Sequence, residues 1–353
     1  MILIQSSLLA GLDGPAPTLA DVHVALQNAL ELEHATIPPY LYALYSLDAS
    51  RNTQIAAILK SVVTEEMLHM TLVANVLNAL GGTPRVDRPD FVPHYPGPLP
   101  GGVDSQLTVN LAPFSMTQLD AFLSIEEPEH PLHFRRGPSD ALEGQVTIGQ
   151  FYRKIKEALA LLPPGSFVQP ARNQVGPGLM REVVVVDDLA SAQRALDTII
   201  EQGEGSLLSP DEGAGDGYAH YYRFMQIKKG RMLVRSGTTY AYAGAAISFD
   251  EGGVYGLPVN PTAALYQKAA NGNQLFAFDN FNYTYTSLLN ALQAVFNGRD
   301  NSDEFNVAIG LMMSLKLQAQ VMAAGVAYGN IPTGPSFQYQ PSNPALDQSH
   351  STM

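Results

Sequence analysis

The chain has 353 residues, 46% of them hydrophobic, and a formal charge of -13. Its length fits one large or two ordinary domains, and with no flexible linker in it a single domain with insertions is expected. The acidic balance argues against nucleic acid and an anionic membrane surface as partners, and the lack of cysteine rules out disulfides, thiolate metal sites, iron–sulfur clusters and a cysteine nucleophile. Residues 1–14 lack the basic start and cleavage pattern of a signal peptide, and no run approaches the roughly 20 apolar residues of a membrane span, so a cytoplasmic protein is expected.

Thr18 with Asp21 forms a capping-box-like start to a helix reaching about Leu47. A turn through Ser50 to Asn52 leads to a second helix ending at Leu80, stopped by Gly81-Gly82 and Thr83-Pro84. In the first helix Leu26, Leu30, Glu33, Ile37, Leu41 and Leu44 follow at three- and four-residue steps. In the second, Leu59, Val62, Glu66, His69, Val73, Val76 and Leu80 do the same. That spacing stacks side chains on one packing face, so Glu33, Glu66 and His69 fall inside apolar stripes that the short turn makes neighbours. Pro38 and Pro39 remove two amide donors, free the carbonyls of His34 and Ala35, and predict a kink one turn past Glu33.

The stretch Pro84 to Gly102, with six prolines, reads as an extended wrapping loop. Ser115-x-x-Gln118 opens a short helix that stops before Pro128, and Thr147-x-x-Gln150 opens another over Phe151 to Leu162. Val183 to Val186 reads as one short strand, after which Asp187 and Asp188 cap a helix through Ile200. A Gly-rich loop leads to a helix around Tyr218 to Ile227, and residues 230–275 read as irregular with a hairpin. Two last helices, about 284–297 and 302–326, precede a tail after Pro332 that is expected to be disordered. The expectation is one all-α domain over 1–332, an antiparallel helix bundle with additional helices and long Gly/Pro-rich insertions at about 82–145 and 228–280.

A carboxylate on a buried stripe cannot stay ionised without compensation. A metal ion shared by the two helices would supply it, Glu on one and Glu-x-x-His on its neighbour; a hydrogen-bonded network of buried polar groups is the alternative. Two other Glu-x-x-His matches read differently. Glu31/His34 begins on a polar face, and Glu127/His130 lies in a proline-broken segment taken as surface. His34 borders the seam and reads as a histidine hydrogen-bonded at the kink. Glu204 continues the apolar face of Leu189, Ala192, Leu196, Ile199 and Ile200, and His220 shares a face with Phe224 and Ile227. For these two, a helix-capping Glu and a core His stand level with the ligand reading. The last two helices carry no Glu or His on their apolar stripes, and their methionines read as core filler.

Leu32-Glu33-His34-Ala35-Thr36-Ile37-Pro38-Pro39-Tyr40-Leu41, Glu65-Glu66-Met67-Leu68-His69-Met70 and Ala79-Leu80-Gly81-Gly82-Thr83-Pro84 resemble the ferritin-like domain of the iminophenyl-pyruvate dimer synthase family. So do Thr147-Ile148-Gly149-Gln150-Phe151-Tyr152, Gln202-Gly203-Glu204-Gly205 and His220-Tyr221-Tyr222-Arg223-Phe224. The resemblance implies a ferritin-like bundle and raises Glu204 and His220 to ligands, giving the metal set Glu33, Glu66, His69, Glu204 and His220. It implies a metal-dependent oxidoreductase acting on a small organic substrate, related to the bisindole-pathway enzymes that couple two oxidised tryptophan-derived imines. A second Glu-x-x-His is missing, because Gly217 stands three before His220; Asp216 is the available substitute, and whether His34 or Glu65 joins is open. Such a set suffices for one ion and is marginal for two.

Mixed carboxylate and imidazole donors make iron the first choice and manganese the second, with Tyr40, Tyr152 or Tyr221 as a nearby proton or hydrogen-bond donor. The rival expectation is a non-catalytic ferritin-like metal-binding or scaffold protein. Iron storage ranks below both, for want of any sign of shell assembly. The partner expected is a small-molecule substrate, and a homodimer is allowed.

Overall fold

In a computed structural model of the protein the described residues are 4–5, 9, 11–12, 14, 16–100, 107–128, 145–178, 180–204, 210–211, 217–267, 272–298 and 302–342. The side chains at 4, 5, 145, 146, 204 and 302 lie outside that description. The long first helix, α1 (Leu19–Tyr45), starts at a capping box in which Thr18 accepts from the Asp21 amide and Asp21 accepts from the Thr18 amide. It runs unbroken through Pro38 and Pro39. The carbonyl that Pro39 leaves without a helical donor, Ala35 O, accepts from the Tyr95 hydroxyl at 2.6 Å, so the wrapping loop repairs the helix it covers.

The second helix, α2 (Thr53–Ala79), lies antiparallel to α1 and is its principal packing partner. It ends in a Schellman motif: Gly81 takes φ +78°, its amide reaches Asn78 O at 2.9 Å, and the Gly82 amide reaches Leu77 O at 2.9 Å. The turn between the two helices is closed from far along the chain, where Asn52 holds the carbonyls of Asp250 and Gly253 and Arg51 pairs with Asp250. Both expected carboxylates are buried, Glu33 at 6% and Glu66 at 3% exposure, as is His69 at 2%.

Around this pair stand α3 (Met116–Ile125), α4 (Ile148–Leu161), α5 (Leu189–Glu204) and α6 (His220–Lys229), with the four-residue α7 (Ala263–Tyr266) further along. Two long helices, α8 (Asn273–Phe296) and α9 (Ser302–Ala324), pack on each other and against α1 and α2 from the other side. The only sheets among the described residues are two-stranded and antiparallel. They pair β1 (Ile4–Gln5) with β2 (Gln145–Val146) and β3 (Arg231–Ser236) with β4 (Thr239–Ala246), the latter being the expected hairpin.

Three expectations need correcting. Val183 to Val186 is not a strand, because its backbone is satisfied by side chains: Val184 O accepts from Asn75 Nδ2 at 2.9 Å and the Val186 amide donates to Gln174 Oε1 at 2.8 Å. Residues 333–342, expected to be disordered, pack against the bundle without helix or strand, with Thr333 and Phe337 buried. A side chain at Gly334 would collide with the Tyr42 hydroxyl at 2.0 Å. Residues 343–353 lie outside the described residues. Finally, Asp303–Ala324 is long and apolar enough by composition to cross a membrane. In the structure one side of that helix packs on α8, while Val307, Met313, Leu317 and Val321 are exposed.

Asn75, fully buried on α2, pins the loop that precedes α5 by accepting from the Val175 amide and donating to the carbonyls of Val175 and Val184. Asn75→Ala leaves these buried groups unpaired, at an expected cost of about 2–4 kcal/mol. Urea unfolding with an unchanged m-value measures it.

Candidate metal centre

Glu33 comes from α1, Glu66 and His69 from α2, Glu126 from the C-terminal end of α3, and His220 from the first turn of α6. Glu66 sits in the middle. Its Oε2 lies 3.7 Å from His69 Nδ1 and its Oε1 3.1 Å from His220 Nδ1. Glu33 Oε2 approaches His69 Nδ1 at 3.0 Å, and Glu126 Oε2 approaches His220 Nδ1 at 3.3 Å. The two imidazoles are stacked with centroids 5.4 Å apart. The donors therefore form two overlapping groups, Glu33–Glu66–His69 and Glu66–Glu126–His220, that share one carboxylate.

Each outer donor is braced from behind. His69 Nε2 meets Gln202 Oε1 at 2.9 Å and His220 Nε2 meets Glu65 Oε2 at 3.0 Å. Both outer acceptors are oxygens, so each Nε2 carries a proton. Nδ1 then offers a lone pair to an ion bound between the donors. Without an ion it carries a second proton toward the carboxylates, as in the 3.0 Å hydrogen bond of His69 with Glu33 Oε2. Tyr152 donates to Glu33 Oε1, Tyr40 donates to Glu126 Oε1, and Arg223 clamps Glu65 with two donors. Burial, reinforced by the neighbouring carboxylates, raises the Tyr40 and Tyr152 hydroxyls well above their ordinary range and keeps them donors.

This arrangement tests whether a metal fits. An imidazole lone pair facing two carboxylate oxygens is repulsive unless a positive charge lies between them. For His220 the Nδ1 is buried and has no hydrogen-bond partner among the described residues despite carboxylate oxygens at 3.1 and 3.3 Å. Donors about 2.1 Å from one ion stand roughly 3–4 Å from one another, the range seen here. Without metal the charge must come from protons. Burial would lower the His69 pKa, but Glu33 and Glu66 outweigh it and push it up to about 10. His220 moves up for the same reason, with Glu126 the largest contributor. Glu33, desolvated more than it is compensated, rises to about 7, while Glu66 is held below its usual range by His220 and His69 despite its burial. The residues fit a divalent ion in either group.

The structure brings together four of the five residues expected, or proposed by resemblance, as ligands. Glu33, Glu66, His69 and His220 converge; for Glu204 the backbone closes α5 and the side chain lies outside the described residues, as does Asp216. Glu126 was missed, although it continues the buried stripe of Leu119 and Phe122 at a four-residue step. The Glu-x-x-His template drew attention to Glu127 instead. Glu65 and Gln202 enter as braces, and Tyr40 and Tyr152 do what was expected of a nearby tyrosine. Tyr221 packs edge-on against Tyr222. His34 is turned to the opposite side of α1, where it pairs with Tyr285. Beside the donors is a cavity of about 40 Å³, walled by Thr36, Gly149 and the isoleucines 125, 148, 199 and 200.

A bundle of long helices with paired Glu and His donors between them defines the ferritin-like class, and the ferritin-like family model matches residues 26–229. The chain belongs to that family. It is 27% identical over 260 residues to dichlorochromopyrrolate synthase of Lentzea aerocolonigenes, a match covering 60% of this chain and 25% of that one. It is 26% identical over 273 residues to 2-imino-3-(indol-3-yl)propanoate dimerase of Chromobacterium violaceum, covering 63% and 24%. The chain spans about a quarter of the length of these curated relatives. A ferritin-like protein of known structure from Caulobacter vibrioides shares the fold with a TM-score of 0.63 at 24% identity, covering 93% of this chain and 100% of that one.

Removing the Tyr152 hydroxyl should loosen Glu33 without unfolding the core. Tyr152→Phe is expected to weaken metal binding about tenfold, as losses around a ligand do, read by competition with a chelator.

Proposed function

We propose that the chain is a metal-dependent oxidoreductase, using iron before manganese, that acts on a small organic substrate related to the indole-derived imine in the name of one of its relatives. The observation that carries the reading is the pair of inward-facing Nδ1 atoms, each set against two carboxylate oxygens. A redox-active ion held there supplies the one-electron chemistry through which an oxidant acts. The chain's own part is to position and insulate. Gln202 and Glu65 fix the imidazole tautomers, and Tyr152 and Tyr40 hold protons on the outer oxygens of Glu33 and Glu126. The isoleucine walls leave about 40 Å³ beside the donors, room for a few waters or a diatomic species at about 10–15 Å³ per water. The organic substrate is therefore oxidised from outside this chamber, or after a wall side chain moves.

Metal analysis of protein purified without chelator or polyhistidine tag, joined to dioxygen uptake with an arylpyruvate imine, tests the proposal. Stoichiometric iron or manganese and substrate-dependent uptake are expected. Background metal overturns it in favour of a scaffold.

Loading should also depend on pH. Glu33 and His69 both have folded pKa values above their unfolded ones, so the metal-free fold binds extra protons between about pH 5 and 10. Their contribution to metal-free stability is complete below the unfolded values and is lost as pH rises through about 7 and then about 10. Those protons must leave for metal to enter. Apparent metal affinity is expected to rise steeply from pH 5 to 8 while metal-free thermal stability falls. Calorimetric titrations at several pH values measure both.

A further inference from the structure

Consecutive residues of the two central helices serve opposite sides. Glu33, Glu66 and His69 face the donor cluster, whereas His34, Met67 and Met70 line a second cavity of about 110 Å³ between α1, α2, α8 and α9. The two chambers share no lining residue. The second one is apolar almost throughout, and of its polar groups Thr71 Oγ1 is already committed to Met67 O at 2.9 Å. His34 is 3% exposed, and its Nδ1 has no hydrogen-bond partner among the described residues.

The proton assignment on His34 follows from its one partner. Tyr285 OH lies 2.6 Å from His34 Nε2. If Nε2 donated to the hydroxyl, the Tyr285 proton and the Nδ1 lone pair would both be left without a partner. If the hydroxyl donates to Nε2, only Nδ1–H remains. The second arrangement leaves fewer buried polar groups unsatisfied, so the wall presents a hydrogen-bond donor.

The cavity also has an approach. A groove of about 750 Å³, running past Lys60 and Lys316, shares Leu41, Tyr45, Met67 and Met312 with the inner chamber. An engineered apolar cavity of about 150 Å³ in another protein accepts benzene, so this chamber suits a single ring, with any remainder of the molecule lying in the groove.

We propose that this chamber is a ligand site for a small aromatic molecule carrying one hydrogen-bond acceptor, such as a ring-conjugated carbonyl, that receives the His34 Nδ1 proton. The site stands apart from the metal reading and requires no ion.

The probes are acetophenone and α-methylstyrene, which differ only in C=O against C=CH2, with binding followed by ligand-observed NMR and equilibrium dialysis. Acetophenone is expected to bind about five- to tenfold more tightly, the worth of one buried hydrogen bond. His34→Leu should bring the two affinities together. Met312→Phe, at the boundary between chamber and groove, should weaken both at least tenfold without altering the thermal melt. Equal affinities in the parent protein overturn the proposal. So does binding untouched by Met312→Phe, or a complete lack of saturable binding by either probe. Should His34→Leu fail to fold, the parent comparison and Met312→Phe still decide.

Discussion

Glu66→Gln is expected to reduce bound metal at least tenfold while leaving the fold intact. Glu66 is the one carboxylate in both donor groups, with an oxygen toward each histidine. An amide of the same volume cannot balance a cation from both ends. Without metal, Glu66 is the ionised counter-charge of the protonated His220 and His69, and removing one partner of such a buried pair costs about 3–5 kcal/mol. The thermal midpoint of the metal-free variant should therefore lie below that of the metal-free parent. Side-by-side metal analysis and melting curves give both numbers, and equal background metal in the two proteins would point to the scaffold reading.

Arg223→Met should be the most damaging change near the site that touches no candidate ligand. Arg223 holds Glu65 with Nη1 at 2.8 Å and with Nη2, and also reaches Ser61 Oγ at 3.1 Å. Without it, Glu65 is a mostly buried carboxylate facing only His220, a loss of about 2–4 kcal/mol in urea unfolding. Burial acts to raise the Glu65 pKa, but His220 and Arg223 together hold it at about 2. That contribution is present above about pH 4.5 and is lost as pH falls through about 2. The gap between parent and variant should therefore narrow in acid. Because Glu65 also orients the His220 ring, metal affinity should fall about ten- to hundredfold.

Much of this architecture was legible before any coordinates. The apolar steps of α1 and α2 are long and regular, their caps are explicit, and the carboxylates interrupting them stand out against aliphatic neighbours. What escaped notice did so for physical reasons. Glu126 lies one residue past the end of a ten-residue helix and just before Pro128, where helical periodicity is too short to assign a face. Gln202 is a neutral amide, invisible to a search for charged donors, yet it fixes the tautomer of His69. Val183 to Val186 has strand-forming residues, but its backbone partners are Asn75 and Gln174, and nothing local announces that a side chain 109 positions away will take the Val184 carbonyl. α8 starts at Asn273, ahead of the expected start at about 284: Asn273, Gln274, Asp279 and Asn280 dilute its apolar pattern, although Gln274 and Asn282 are buried.

The candidate donors are also unevenly spread along the chain. Glu33, Glu66 and His69 lie within the first 79 residues, on a helix pair whose packing is local, whereas Glu126 and His220 follow much later. Chains emerge from the ribosome N-terminus first, at about 5–20 residues per second. The α1–α2 hairpin is thus exposed for several seconds before Gln202 and His220 are synthesised. In that interval an ion would meet half a coordination sphere, with an unbraced His69 and an open flank to water. On the proposed metal reading, occupancy can be decided during translation, by whichever metal the nascent hairpin encounters first.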